Sequence, residues 1–332
     1  MNRTATLFAT VALWSLMGMS ALATPVRGQA AGCATAGTLQ DACQKSADIF
    51  ELVAPQLGVM VAGGNAVPGQ YGSIGGFGHV TLGLRATGVR AHIPDLGALS
   101  ARSGPAEASQ IATSLKLVAV PILDANIGLF GGGAVGPVYV GALDLLISGS
   151  WMPEVDVGDV AVRASGGSFR AGFGARLELL RETSFAPAIA VTALRRSLPA
   201  ASIVARTGGG DTLEVKDARV RVDSWRLTAG KSFQLLALGA GIGQDRHDAS
   251  ASVGARLRDA VGGGEMADEL DLQQELTRTN AFVSLSLNLA PLRVTGEFGR
   301  SWGGELATFN SFDGTSPAAP RNYGSVGLLI GF

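Results

Sequence analysis

Three groups of residues in this chain could do chemistry. The first is Asp245-Arg246-His247. A carboxylate and an imidazole two residues apart share one face of a strand, and such a pair can orient and deprotonate an attacking water. The second is a set of polar side chains at alternate positions of apolar stretches: His79, Arg85, Asp144, Arg170, Arg176, Glu178, Arg226, Asn288, Arg293 and Glu297. Mixed charge along one face can line a hydrophilic path, or it can pair off and fill a narrow space. The third is Cys33 with Cys43, the only cysteines among 332 residues. Without a histidine cluster they make no metal site; in an oxidising compartment a disulfide closing a short loop is the default. The acidic run Glu265, Asp268, Glu269, Asp271 and Glu275 could bind divalent or lipopolysaccharide-bridging cations, but reads first as a solvated acidic loop; its spacing does not match an EF-hand calcium loop. No cofactor is expected.

Strands must position these side chains. Period-two alternation recurs in ten places: from Phe77 to Thr87, Thr113 to Pro121, Pro137 to Ser148, Ser168 to Leu180, Pro187 to Arg196, Asp211 to Lys231, Leu236 to Gly243, Asn280 to Leu289, Arg293 to Trp302, and Tyr323 to Phe332. Val283, Leu285, Leu287 and Leu289 alternate with Phe282, Ser284, Ser286 and Asn288 in the clearest of them. In the sixth the faces exchange around Val220 and Val222, which reads as a bulge or as a part lying above a membrane. Gly172, Gly174, Gly239, Gly241 and Gly243 leave room inside, or ease curvature.

Composition narrows the class. Charged residues are 16% of the chain, against about 25% in soluble domains. The 47 glycines are scattered without a collagen period. Net charge of -1 gives no reason to expect nucleic acid. No apolar run beyond residue 30 reaches the roughly 18 residues of a membrane-spanning helix, so a membrane protein built from this chain must be a barrel.

The amino terminus reads as an export signal. Met1-Asn2-Arg3 is basic, Ala5 to Met19 is apolar, and Ala21-Leu22-Ala23 fits a cleavage site, with a later one after Ala30. Residues 1–23 are thus expected to be a signal peptide, 31–64 a disulfide-braced segment and 77–332 the barrel. Leu39 to Leu52 reads as an amphipathic helix, either a periplasmic cap or plug in a pore mouth or a helix packed on the rim. Leu57 to Ala62, bounded by Pro55 and Gly63, reads as a strand or as part of the same plug.

Connection lengths choose between a soluble sandwich and a membrane barrel. Arg181 to Ala186, Lys231 to Gln234 and Ala290-Pro291 are tight. Pro94 to Ile111, Gly149 to Gly167, Ser197 to Gly210, Leu257 to Glu275 and Gly303 to Arg321 are long and polar. Short turns at one end and long loops at the other are the outer-membrane pattern; the first inner turn, near Ile122 to Gly136, is longer than that pattern predicts. The last strand, with Val326, Leu328, Ile330 and Phe332 on one face and Tyr323 on the other, resembles the closing strand and assembly signal of bacterial outer-membrane β-barrels. Trp151, Trp225, Trp302, Phe185 and Phe233 fit sparse aromatic girdles. The expected fold is an all-β antiparallel barrel of about ten strands (eight to fourteen possible) with a short N-terminal helix.

Asp245 and His247 resemble the Asp-x-His pair of the omptins, ten-stranded surface proteases, and that resemblance implies an outer-membrane hydrolase. The Cys-bearing N-terminal helix and Gly-rich strands resemble uncharacterised exported barrels in the style of fatty-acid-transporter-like barrels, which implies passage of a small solute through a narrow or plugged lumen. A structural or adhesive barrel acting through its outer loops is the alternative. The expected partners are outer-membrane lipid, lipopolysaccharide and the barrel-assembly machinery.

Overall fold

The computed structural model describes residues 30, 32–152, 154–157, 160–206, 211–257, 265–266 and 269–332. The expected signal peptide lies outside them. Ten long strands dominate: β1 Val80–Pro94, β2 Thr113–Phe130, β3 Ala142–Trp151, β4 Phe169–Leu180, β5 Ala188–Ser197, β6 Thr212–Phe233, β7 Leu236–Leu257, β8 Leu270–Leu289, β9 Leu292–Trp302 and β10 Arg321–Gly331. Each pairs antiparallel with its sequence neighbour. β10 then pairs with β1, from Tyr323↔Val89 to Gly331↔Thr81, and closes the ring.

The faces divide as alternation requires. Leu82, Leu84, Leu123, Phe173, Leu177, Leu238, Ile242, Val283, Leu285, Phe298, Val326 and Leu328 are exposed on the outside. In water such a surface would aggregate; in a bilayer it is the lipid-facing belt. Phe185 and Phe233 are exposed at the short-turn end, Trp151 and Trp225 at the other, as girdle residues would be. The short connections are 131–141, 181–187, 234–235 and 290–291; the long ones are 95–112, 152–168, 198–211, 258–269 and 303–320. β6 and β7 run for 22 residues each, about twice what a spanning strand needs, so their outer parts stand above the bilayer.

Several strand assignments change; the third, for one, begins at Ala142 and not at Pro137. The second strand does not stop at Pro121 but runs on to Phe130. A proline argues against a strand interior because it cannot donate to the ladder. Here pairing with β3 begins one residue later, at Ile122↔Ser150, so only one neighbour flanks Pro121. The true first inner turn is 131–141, folded as a small hairpin of Gly133–Val135 against Val138–Val140. In β6 the register break sits between Lys216 and Arg219, and pairing is continuous from Arg219 to Phe233. Val220 and Val222 keep the inward parity of Arg226 and Thr228. What changes there is the lumen lining, from polar to apolar.

The cause is the N-terminal segment, which fills the lumen. The helix is longer than its sequence pattern suggested: α1 spans Gln40–Ala62 and absorbs Leu57 to Ala62, which is therefore no strand. It lies at the long-loop end and not in the periplasmic mouth. Pro55 inside it frees the carbonyl of Glu51, four residues back, and the side-chain amide of Gln274 on β8 donates to that carbonyl at 3.1 Å. Phe50, Ala54, Val59, Met60, Val61 and Ala62 of α1 pack against Val89, Ala91, Val120, Ile122, Val220, Val222, Ala249, Ala251 and Val253 of the wall. The outer half of the lumen thus holds an apolar core.

Candidate functional site: the plugged lumen

Below α1 the chain turns at Gly63 and runs toward the short-turn end, reaching Gly76 before β1 begins. This extended stretch leaves its backbone groups unpaired by secondary structure, so the wall must satisfy them. The inward-facing polar residues do so. Glu297 accepts from the amides of Gly64 at 3.0 Å and Asn65 at 2.9 Å. Arg226 donates to the carbonyls of Gly64 at 3.0 Å and Gly63 at 3.1 Å. Arg85 donates to Asn65 O at 2.7 Å, and Arg293 to Gly69 O at 2.6 Å. Arg176 reaches Gly72 O and the Asn65 side chain, both at 3.3 Å. Asp144 accepts from Ser73 Oγ at 2.6 Å, and Glu178 from Ser73 N at 3.1 Å. Tyr71 OH meets Ser284 Oγ at 2.7 Å.

Seven of the expected lumen residues, Arg85, Asp144, Arg176, Glu178, Arg226, Arg293 and Glu297, therefore hold one polypeptide segment. The other three lie elsewhere. His79 sits at the inner mouth, its Nδ1 3.3 Å from Gly76 O. Asn288 is half-buried there and accepts from Arg293 Nε at 2.6 Å. Arg170 is exposed at the outer end of β4.

Further partners fall outside that set of ten. Asp124 pairs with Arg85 at 3.1 Å and with Arg196 at 2.9 Å. Arg196 also donates to Ala66 O at 2.6 Å. Asn280 donates to Gly63 O at 2.9 Å and accepts from Tyr323 OH at 2.8 Å. Asp124 was hidden by the proline before it, although Asp124 and Asn126 do alternate with Leu123, Ala125 and Ile127. Charges buried this deeply must be paired or they would not be tolerated.

Glycine makes the fit possible at one point in particular. A Cβ on Gly239 would lie 1.9 Å from the ring of Tyr71, and one on Gly230 would lie 2.1 Å from it. Gly172, Gly174 and Gly243 instead face the backbone of neighbouring strands, and Gly241 faces Phe282.

Asp245 and His247 do share the inward face, and α1 covers them. Arg226 holds the Asp245 carboxylate at 2.7 Å, with Ser224 Oγ at 2.6 Å and Asn280 Nδ2 at 3.1 Å. A Cβ on Gly58 of α1 would lie 2.2 Å from His247 Nδ1.

At the outer mouth, the start of α1 is tied to two of the long loops. Cys33 and Cys43 form a disulfide beside the start of α1. Asp48 accepts from the backbone of Phe309 at 3.2 Å and of Asn310 at 2.8 Å in the last outer loop. In the first outer loop, Gly104 N donates to Thr38 O at 2.7 Å, Arg102 N donates to Asp41 at 2.9 Å, and Lys45 donates to Ser100 O at 2.8 Å. These two loops also pair with each other, Gln110–Ile111 beside Ser311–Phe312. In the acidic loop, Glu269 pairs with Lys216 and Glu275 with Arg246; Asp268 lies outside the described residues. No group of three or more metal-ligating side chains occurs among the described residues.

No family model matches the chain, and no curated protein matches it. Solved structures do. The outer-membrane protease OmpT from Escherichia coli is 12% identical with a TM-score of 0.36, over 76% of this chain and 96% of that one. The toluene transporter TodX of Pseudomonas putida is 10% identical with a TM-score of 0.33, over 84% and 96%. Ail, the attachment invasion locus protein of Yersinia pestis, solved with a heparin analogue, is 9% identical with a TM-score of 0.29, over 77% and 99%. At such scores their activities carry nothing over. A closed antiparallel ring, an apolar outer belt, a polar inner face and short turns at one end only make this chain a bacterial outer-membrane β-barrel protein.

Proposed function

We propose that the protein is a non-conducting barrel that acts through the surface formed by its outer loops and N-terminal cap. The observation that carries this reading is that the lumen-facing charges among the described residues bind the chain's own segment 62–76 instead of facing open water. A solute pore would expose those charges to water; here Arg85, Arg176, Arg226 and Asp144 are at most 2% exposed. Asp245 and His247 lend no support to a surface hydrolase, because one is ion-paired and the other lies beneath α1.

A second reading is solute passage after the segment moves. It draws on a vestibule of about 530 Å³ at the inner mouth, lined by Tyr71, Glu178, Arg181 and Arg293. Single-channel recording in planar bilayers separates the two. Refolded residues 31–332 should be silent, and deletion of residues 31–76 should open a conducting path. Spontaneous opening of the intact protein would overturn the closed reading in favour of the second.

A further inference from the structure

Between β4 and β5 the wall parts. The β4–β5 ladder ends at Phe173↔Arg195. β4 extends four residues beyond, paired only with β3, and β5 extends two residues, paired only with β6. Above that pair lies a cleft of about 540 Å³, lined mainly by outward-facing positions of β4 to β8. Its lower edge is Phe173, 64% exposed, at the top of the lipid-facing belt. Its walls carry Arg170, Arg195, Arg219 and Arg221.

We propose that this cleft binds a phosphorylated lipid headgroup of the outer leaflet. The level is right: a lipid whose chains lie against Phe173 places its headgroup at the arginines. The charge is right as well. Arg195 pairs with Asp223 at 2.5 Å, and Arg221 with Asp248 at 2.7 Å. Arg246 pairs with Glu275 at 2.8 Å. Those pairs cancel one another and hold their side chains in place. The guanidiniums of Arg170 and Arg219 have no hydrogen bond or ion pair among the described residues, so both remain for an anion. Guanidinium forks match phosphate oxygens in pairs, and a site half-shielded by lipid strengthens that attraction. A purely structural charge ladder would not bring two further arginines to one cleft, where their repulsion opposes folding.

The test uses refolded residues 31–332 in uncharged micelles and native mass spectrometry. The probes are a bisphosphorylated acylated glucosamine disaccharide, its dephosphorylated form and inorganic phosphate. The phosphorylated glycolipid should bind about tenfold or more tightly than the dephosphorylated one, since each charge-assisted hydrogen bond contributes at least that factor. Arg170→Ala with Arg219→Ala should remove that preference while keeping the heat-modifiable band of a folded barrel. Arg102→Ala, in an exposed pair with Glu107, should keep both. Equal binding of the two glycolipids, or an unchanged preference in the double variant, would overturn the proposal. Inorganic phosphate binding as tightly as the glycolipid would overturn it too, by making the site one for free anion.

Discussion

Asp124 shows how strongly single residues count in this lumen. It neutralises two buried arginines, Arg85 and Arg196, and its side chain is only 2% exposed. Removing one partner of a buried ion pair leaves an uncompensated charge, at a cost of about 3–5 kcal/mol. Asp124→Asn keeps the shape and removes the charge. Its urea midpoint in micelles should fall clearly below wild type, while Arg102→Ala on the surface should stay within about 0.5 kcal/mol. A midpoint unchanged by Asp124→Asn would show that the network does not stabilise the barrel. Gly239 acts through space rather than charge. Gly239→Leu should displace Tyr71 and leave the inner end of the segment loose, seen as faster hydrogen exchange over residues 66–76 with the barrel still heat-modifiable. Unchanged exchange there would mean that Tyr71 does not anchor the segment.

At the scale of the element, α1 is held by different forces along its length. Its C-terminal half packs on valines and alanines of the wall, and Gln56 bonds both the backbone N–H of His92 at 2.7 Å and its carbonyl at 3.1 Å. β10 does not reach that part of β1, so Gln56 stands where a strand partner would. The other half carries Asp48 and Glu51. Burial, aided by the nearby Asp48 charge, pushes the Glu51 carboxyl up to about 7. Burial also raises Asp48, opposed by its hydrogen bonds from Asn310 and Gln44. The sign follows from proton counting. Between its ordinary value of 4.5 and about 7, docked Glu51 holds more protons than undocked Glu51, so docking weakens as pH rises through that window. Hydrogen exchange over residues 40–62, corrected for intrinsic rates, should therefore show less protection near pH 8 than near pH 5. Glu51→Gln should flatten the difference. Protection that grew with pH would refute the assignment.

For the whole molecule, the path of the chain has a topological consequence. The segment enters β1 at the short-turn end and reaches back through the lumen, so Ala34 and the disulfide lie with the long loops. Those loops face outward in an outer-membrane barrel. In a Cys33→Ser, Cys43→Ser background, Ala34→Cys should react with a membrane-impermeant maleimide on intact cells, and Ser232→Cys, at the inner end of β6, should not. The reverse pattern would place the cap in the periplasm and remove it from any surface role. A barrel assembled around a threaded, capped segment also implies that wall and segment fold together, since neither satisfies its buried polar groups alone.

Alternation wrote most of the wall into the sequence. Ten strands, their inward and outward faces, and the outer-membrane class could be read from period-two patterns, connection lengths and composition, because a bilayer permits only a closed ring and a pleat allows only two faces. The same pattern named seven of the residues that hold the lumen segment. It could not say what they held. Whether Arg226 lines water or binds Gly63 depends on a contact spanning 163 positions, and no local rule encodes that. The helix ran past Pro55 because a glutamine on β8 accommodated it, and Val220 and Val222 broke the polar pattern because α1 lay opposite. The filled lumen, the loop contacts over α1 and the arginine cleft were decided by packing between distant parts of the chain, which only the tertiary structure contains.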